Sequence, residues 1–336
     1  MKKIIAAFLV SLILAGCSSS EQELYIFCWV DYIAPEVIEE FEKEYHCTVI
    51  LDTFDSNESM YAKLKLSATP YDLIIPSSYF VQLMQNQGML QPINLSAIPN
   101  IKFLDPLYRS ESDYDIPFSI SFTGIAYRKD KVSDFDSTWN IFARKDLKGR
   151  MTMLNDIREV FGAALRYLGY SINTTNETEI NEAANLIISW KKNLAKFENE
   201  QYKNGIASAE YLVVQGYNGD ILQVMQEHPQ VAFVLPKEGT TFSSDNMVIP
   251  FNAENVQLAE QFINFLLEPK IAYQNMLHTQ FTIPNTGAYE MLSPEMRQNP
   301  AIFPPASILD KIEKIKDIGP AIVLYNRAWD RIKASD

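Results

Sequence analysis

Aromatic rings and carboxylates recur together at separated points of this chain: Trp29 beside Tyr32, Ser77 beside Tyr79, Asp156 near Glu159, then Tyr217 and Asp245. Rings accept the alkyl stem of a ligand and draw a cation to their faces, while carboxylates make charge-assisted hydrogen bonds to amines. With few basic residues in these segments, the combination suits a ligand made of methylene and ammonium groups. Each residue also has a plainer role open to it. Asp156 and Glu159 have capping-box spacing at a helix start. Ser77 or Ser78 suits a helix cap, Trp29 and Tyr32 suit a core, and Asp245 suits a turn before a strand. What favours a site is a shared location, and that depends on the elements carrying these residues.

Those elements alternate. Residues 24–29 read as a strand, and Pro35 opens a helix with Val37, Ile38, Phe41 and Tyr45 on one face. Residues 48–53 form the next strand. Asp55 and Glu58 have capping-box spacing ahead of a helix carrying Met60, Leu64 and Leu66, and 73–75 is a third strand. This β-α-β-α-β order predicts a parallel, doubly wound sheet. A second unit follows: strand 151–154, helix 156–168 closing at Gly169, and a long helix over 179–197 with Ala183, Leu186, Ile187 and Trp190 inward. Strands at 212–214 and 231–234 flank a further helix, strand 247–250 comes next, and helices dominate from 254.

No Gly/Ser/Pro-rich linker separates the halves, so strands are expected to join them. The expectation is an α/β fold of two lobes with a cleft between. Ligands of open α/β sheets sit beyond the carboxyl ends of strands, where the residues named above cluster.

The N-terminus gives an address. Lys2 and Lys3 precede an apolar run to Leu14, then Ala15-Gly16-Cys17. The run is too short for a lasting membrane span, and the small residues before Cys17 resemble a lipobox. The expectation is a signal peptide over 1–16 and a lipidated tether over 17–22, with Cys17 the lipidation site and the remainder extracytoplasmic. Loss of Lys2 and Lys3 takes the formal charge from −13 to −15. Such acidity argues against nucleic acid and suits cationic ligands, although solubility alone explains it. Cys28 and Cys47 fall near opposite ends of neighbouring parallel strands, too far apart to bridge, so both are expected to be buried thiols.

At these residues the chain resembles the spermidine/putrescine-binding proteins of bacterial ABC importers, most closely the spermidine-preferring branch. The segments that carry the likeness are 24–32, 54–65, 71–79, 156–161, 236–239 and 263–267, in order over nearly the whole mature chain. The resemblance implies a two-lobed periplasmic-binding-protein fold (type II) with doubly wound sheets and strand crossovers. The lobes are expected at 23–122 plus 247–290 and at 123–246 plus 291–336. Trp29, Tyr32, Ser77 and Tyr79 match first-lobe contacts, Asp156 and Glu159 match acids that hold amino groups, and Asp245 matches an acid near the crossover. Where the family often has tryptophan, this chain has Tyr217 and Ser243. Phe281 replaces a tyrosine, Ile315 falls near a glutamine contact, and Val30 replaces a hydroxyl residue.

The family likeness implies a polyamine ligand, a permease partner in the inner membrane and a monomer, without cofactor, metal or catalysis. Another cationic amine or amino-acid-like cargo remains open on the same fold, as does a surface lipoprotein with an envelope or host partner. His46, His228 and His278 lie in different segments, which disfavours a metal cargo. The acids disfavour an anion at Ser77-Ser78. No Gly-x-Ser-x-Gly elbow, His-Glu-x-x-His or phosphate-binding glycine loop is present.

Overall fold

The computed structural model describes residues 22–66, 70–110 and 112–335. The expected signal peptide and lipidation site, Cys17, lie outside them. In chain order the elements are β1 (Gln22–Trp29), α1 (Pro35–Tyr45), β2 (Cys47–Phe54), α2 (Asn57–Leu66), β3 (Leu73–Ile74), α3 (Ser78–Asn86), β4 (Leu90–Gln91) and β5 (Ile116–Arg128). There follow β6 (Met151–Met153), α4 (Ile157–Leu168), α5 (Glu177–Lys191), β7 (Lys196–Phe197), α6 (Tyr202–Ser208), β8 (Val213–Tyr217), α7 (Asn218–Glu227), β9 (Val231–Val234), β10 (Thr241–Met247) and β11 (Ile249–Pro250). The chain ends with α8 (Val256–Leu266), α9 (Pro269–Thr279), α10 (Thr286–Met291), α11 (Pro294–Arg297), α12 (Ala306–Leu309), β12 (Glu313–Lys314) and α13 (Ile322–Ala334).

The first sheet is parallel, in the order β2-β1-β3. Its β1–β2 register sets Gln22 opposite Cys47 and Cys28 opposite Thr53, so the two buried cysteines stand six positions apart along the strands, about 20 Å. Burial pushes the Cys28 thiol up to about 12, which keeps it protonated and poorly nucleophilic. Helix α1 starts on Pro35 and buries Val37 and Phe41 against α8, where Phe41 meets Phe262 edge-on at 4.7 Å.

The second sheet runs β12-β10-β5-β8-β6-β7, with β9 also on β5. It is mixed rather than a second parallel unit. Strand β5 is antiparallel to β8, β9 and β10, whereas β6 is parallel to β7 and β8. The long strand β5 gives Ile116 and Phe118 to one hydrophobic core and Ile125 to the other, so a strand connects the two. Beyond Asp245 the β5–β10 register shifts, and β10 meets the first lobe through an Asn246 N–H bond to the Pro76 carbonyl.

Several expected elements are corrected. Leu66 is 88 % exposed, and α2 buries Asn57 and Met60 instead. Its first turn is held by Ser56, whose hydroxyl accepts the Ser59 N–H, while Asp55 accepts the Ser59 hydroxyl, so Asp55 and Glu58 form no box. The long helix stops at Lys191, and Lys196–Phe197 forms the edge strand β7. The strand expected at 212–214 runs on to Tyr217. The run 247–250 is divided between the end of β10 and β11, which pairs with β4. Asp245 therefore lies within a strand, not in a turn before one.

Two large cores lie on either side of the crossover. One gathers Leu24, Phe41, Phe118, Phe262 and Ile283, and also takes in Leu292, Ala301 and Ile302. The other gathers Trp139, Phe161, Ile187, Trp190 and Tyr325. Among the described residues no helix is long and apolar enough to cross a membrane.

Candidate functional site

The crossover strands form a floor. In a β-strand, residues two apart share a face, and directly paired residues of neighbouring strands share it too. Ser119, Ser121 and Thr123 lie on one face of β5, and Thr241, Ser243 and Asp245 on the same face of β10, with Ser121 opposite Ser243 and Ser119 opposite Asp245. On the other edge of β5, Tyr217 pairs with Thr123, and the bridge from Ile120 to Thr282 sets Phe281 beside Ser121. The floor thus has three rows. The first holds Thr241, Thr123 and Tyr217, the second Ser243, Ser121 and Phe281, and the third Asp245 and Ser119.

A carboxylate crowns each end. At the third row, Asp245 accepts the Tyr32 phenol on Oδ2 and the Ser77 hydroxyl on Oδ1 at 2.6 Å. Burial raises the Asp245 acid, and the hydrogen bonds from Ser77 and Tyr32 pull it back. The Trp29 indole faces this carboxylate, and its buried N–H lies outside hydrogen-bond geometry with any partner among the described residues. Ser77 occupies the N-cap position of α3 without capping it through its side chain, because its hydroxyl is committed to Asp245. Tyr32 is core and site at once: 7 % exposed, it packs edge-on against Phe118 at 5.6 Å and Phe281 at 6.2 Å.

At the first row, Glu159 Oε2 accepts both the Thr123 hydroxyl, at 2.6 Å, and the Thr241 hydroxyl. Glu159 therefore does not close a capping box back onto Asp156. Asp156 does cap α4: its Oδ1 accepts the backbone N–H of Arg158 at 2.9 Å and of Glu159 at 3.2 Å. Burial raises both acids, and the neighbouring Asp156 charge helps lift Glu159 to about 7. Arg158, their sequence neighbour, turns away, donating to the carbonyls of Lys316 and Ile172 and to Asn173.

Two phenols stand close to these acids. Burial, and then the Asp156 charge, pushes the Tyr79 hydroxyl well up, with Asp245 adding to it. The same two leading causes act on Tyr217, with Glu159 adding to them. Tyr79 thus lies within the field of acids at both ends of the floor.

The nine expected residues stand around this floor, three of them, Tyr217, Asp245 and Phe281, on β8, β10 and the segment crossing beside β5. Buried Asn57 was not singled out in the sequence. Its amide donates to the Ser77 and Tyr79 hydroxyls, both at 3.1 Å, and its carbonyl accepts the Ser77 N–H. Thr123, Thr241, Ser119 and Ser121 were also missed, although the alternation of Phe118, Ile120 and Phe122 with Ser119, Ser121 and Thr123 marks a one-sided polar strand. Of the family departures, Val30 is 57 % exposed, and Ile315 is buried with its N–H on the Phe242 carbonyl. Ser243 and Ser121 bring their hydroxyls to 2.7 Å.

The arrangement sets carboxylates, hydroxyls and aromatic rings around one polar floor. Among the described residues, no group of three or more histidine, cysteine or acidic side chains could hold a metal ion. The family model for bacterial extracellular solute-binding proteins matches residues 36–304. The chain is 35 % identical over 327 residues to the spermidine/putrescine-binding periplasmic protein of Escherichia coli, covering 95 % of this chain and 94 % of that one. Among solved structures, it resembles the spermidine/putrescine ABC transporter substrate-binding protein PotD of Streptococcus pneumoniae, with a TM-score of 0.85 and 29 % identity over 93 % of this chain and 99 % of that one. It likewise resembles the TpPotD lipoprotein of Treponema pallidum, with a TM-score of 0.84 and 35 % identity over 93 % and 99 % of the two chains.

Proposed function

The chain belongs to the bacterial extracellular solute-binding protein family, and on that premise we propose that it captures a polyamine in its cleft and delivers it to an ABC importer. The observation that carries this reading is one floor with an acid at each end, Asp245 held by Tyr32 and Ser77, and Glu159 held by Thr123 and Thr241. Ammonium groups meet these acids and Asp156. Trp29, Tyr32, Tyr79, Tyr217 and Phe281 receive the methylenes. The protein binds and releases its cargo unchanged and is not an enzyme.

The lobes follow the expected 23–122 plus 247–290 and 123–246 plus 291–336, except that Leu292, Ala301 and Ile302 pack with the first core, which supports a last crossing nearer residue 303. They close on the ligand, and the closed form docks on the permease. The protein works as a monomer outside the cytoplasm, held to the membrane by lipid on Cys17. A relative of 35 % identity is itself named a lipoprotein.

Titration calorimetry and thermal melts with putrescine, spermidine and spermine test the reading. Binding heat and a raised melting temperature are expected with at least one of them. Neither effect with any of the three would end the proposal.

A further inference from the structure

The middle row of the floor has chemistry of its own. Ser121 and Ser243 face each other across β5 and β10 with their oxygens 2.7 Å apart. Ser121 is buried and Ser243 half-buried, so Ser243 is the more open of the two. One hydroxyl donates to the other, which leaves lone pairs on both oxygens. Such a pair accepts two N–H bonds from a single cation, and Phe281 in the same row offers a ring beside it.

The spacing of the rows then bears on ligand length. Thr241, the anchor of Glu159, lies four residues from Asp245, about 13 Å along the strand with the serines midway. A diamine with a four-carbon stem spans roughly 6 Å and an extended spermidine roughly 11 Å, at ordinary bond lengths. The shorter molecule reaches from one end only to the middle row. The longer one spans the acids and brings its secondary ammonium, with two N–H donors, over the serine pair.

We infer that Ser121 and Ser243 hold the interior nitrogen of a triamine and make this cleft select triamines over diamines of equal length. The inference rests on the polyamine reading above and adds to it a specificity-determining pair.

The test compares spermidine with 1,8-diaminooctane, which has the same number of bonds between its end nitrogens and a methylene where the interior nitrogen would be. Titration calorimetry on the wild-type protein is expected to give spermidine roughly tenfold tighter binding or more, the scale of hydrogen bonds to a charged group. Ser243→Ala and Ser121→Ala should each bring that ratio toward one. Equal wild-type affinities for the two ligands would overturn the inference while leaving polyamine binding intact. So would an unchanged ratio in both variants. Should either variant fail to fold, the wild-type comparison still decides. A wild-type protein that binds no amine at all refutes the polyamine reading itself.

Discussion

Tyr32 donates its phenolic hydrogen to Asp245 across 213 residues of sequence, and this bond couples the loop after the first strand to the crossover strand β10. Both partners are buried, and the carboxylate raises the phenol further above its ordinary value, after burial itself. The pair fixes a carboxylate at one end of the polar floor, which the proposed function makes the anchor for a cation.

Asp245→Asn keeps the shape and removes the charge. Polyamine affinity is expected to fall roughly 10- to 100-fold, as when a charged hydrogen-bond partner is lost. The unliganded variant should melt no lower than the wild type, because burial already disfavours the ionised acid. Calorimetry and melting curves read the two effects separately, and unchanged affinity with a lowered melting temperature would make Asp245 structural only.

Glu159 gives a pH signature with two opposing signs. Its folded acid sits near 7 against an ordinary 4.5, lifted by burial and then by Asp156. The folded state therefore holds the proton more tightly than the unfolded one. Its contribution to unliganded stability declines as pH rises from about 4.5 through 7. Binding runs the other way, since an ammonium needs the ionised acid and alkylamines stay charged throughout. Between pH 5.5 and 8 the ligand-induced melting shift should grow as pH rises, and Glu159→Gln should flatten that growth. A shift in Glu159→Gln with the wild-type pH dependence would remove Glu159 from the site.

Much of this was legible in the sequence. The three parallel strands of the first sheet, Pro35 at the start of α1, and Asp156 with Gly169 bounding α4 all follow local rules of alternation and capping. Strand β10 was hidden because Thr241, Ser243 and Asp245 turn polar groups to the cleft, so its segment lacks the apolar run that announces a central strand. The partners of Glu159 were hidden for a different reason. A capping-box spacing describes one turn of helix, whereas Thr123 and Thr241 come from strands far away in sequence.

Gly219 stands in the first turn of α7, directly against Phe281. A Cβ there would stand 2.6 Å from the ring, with no room to relax short of moving it. Gly219→Ala is expected to cost about 1–3 kcal/mol of stability, the range for overpacking a core. It should also weaken binding by displacing the ring from Tyr32. Denaturant unfolding and calorimetry measure both, and a fully stable variant with wild-type affinity would show that Phe281 yields freely.

Cys17→Ser tests the address. With the cysteine intact the protein should fractionate with membranes and partition into detergent; the serine variant should appear in the soluble extracytoplasmic fraction. Membrane retention of the variant would rule out lipid on Cys17 as the anchor.

The most direct test of the central claim is a crystal structure with spermidine bound. The account predicts the ligand lying along β5 and β10, its ammonium groups within hydrogen-bond distance of Asp245 at one end and of Asp156 or Glu159 at the other. A ligand bound elsewhere, or one whose nitrogens meet none of these three acids, would contradict it.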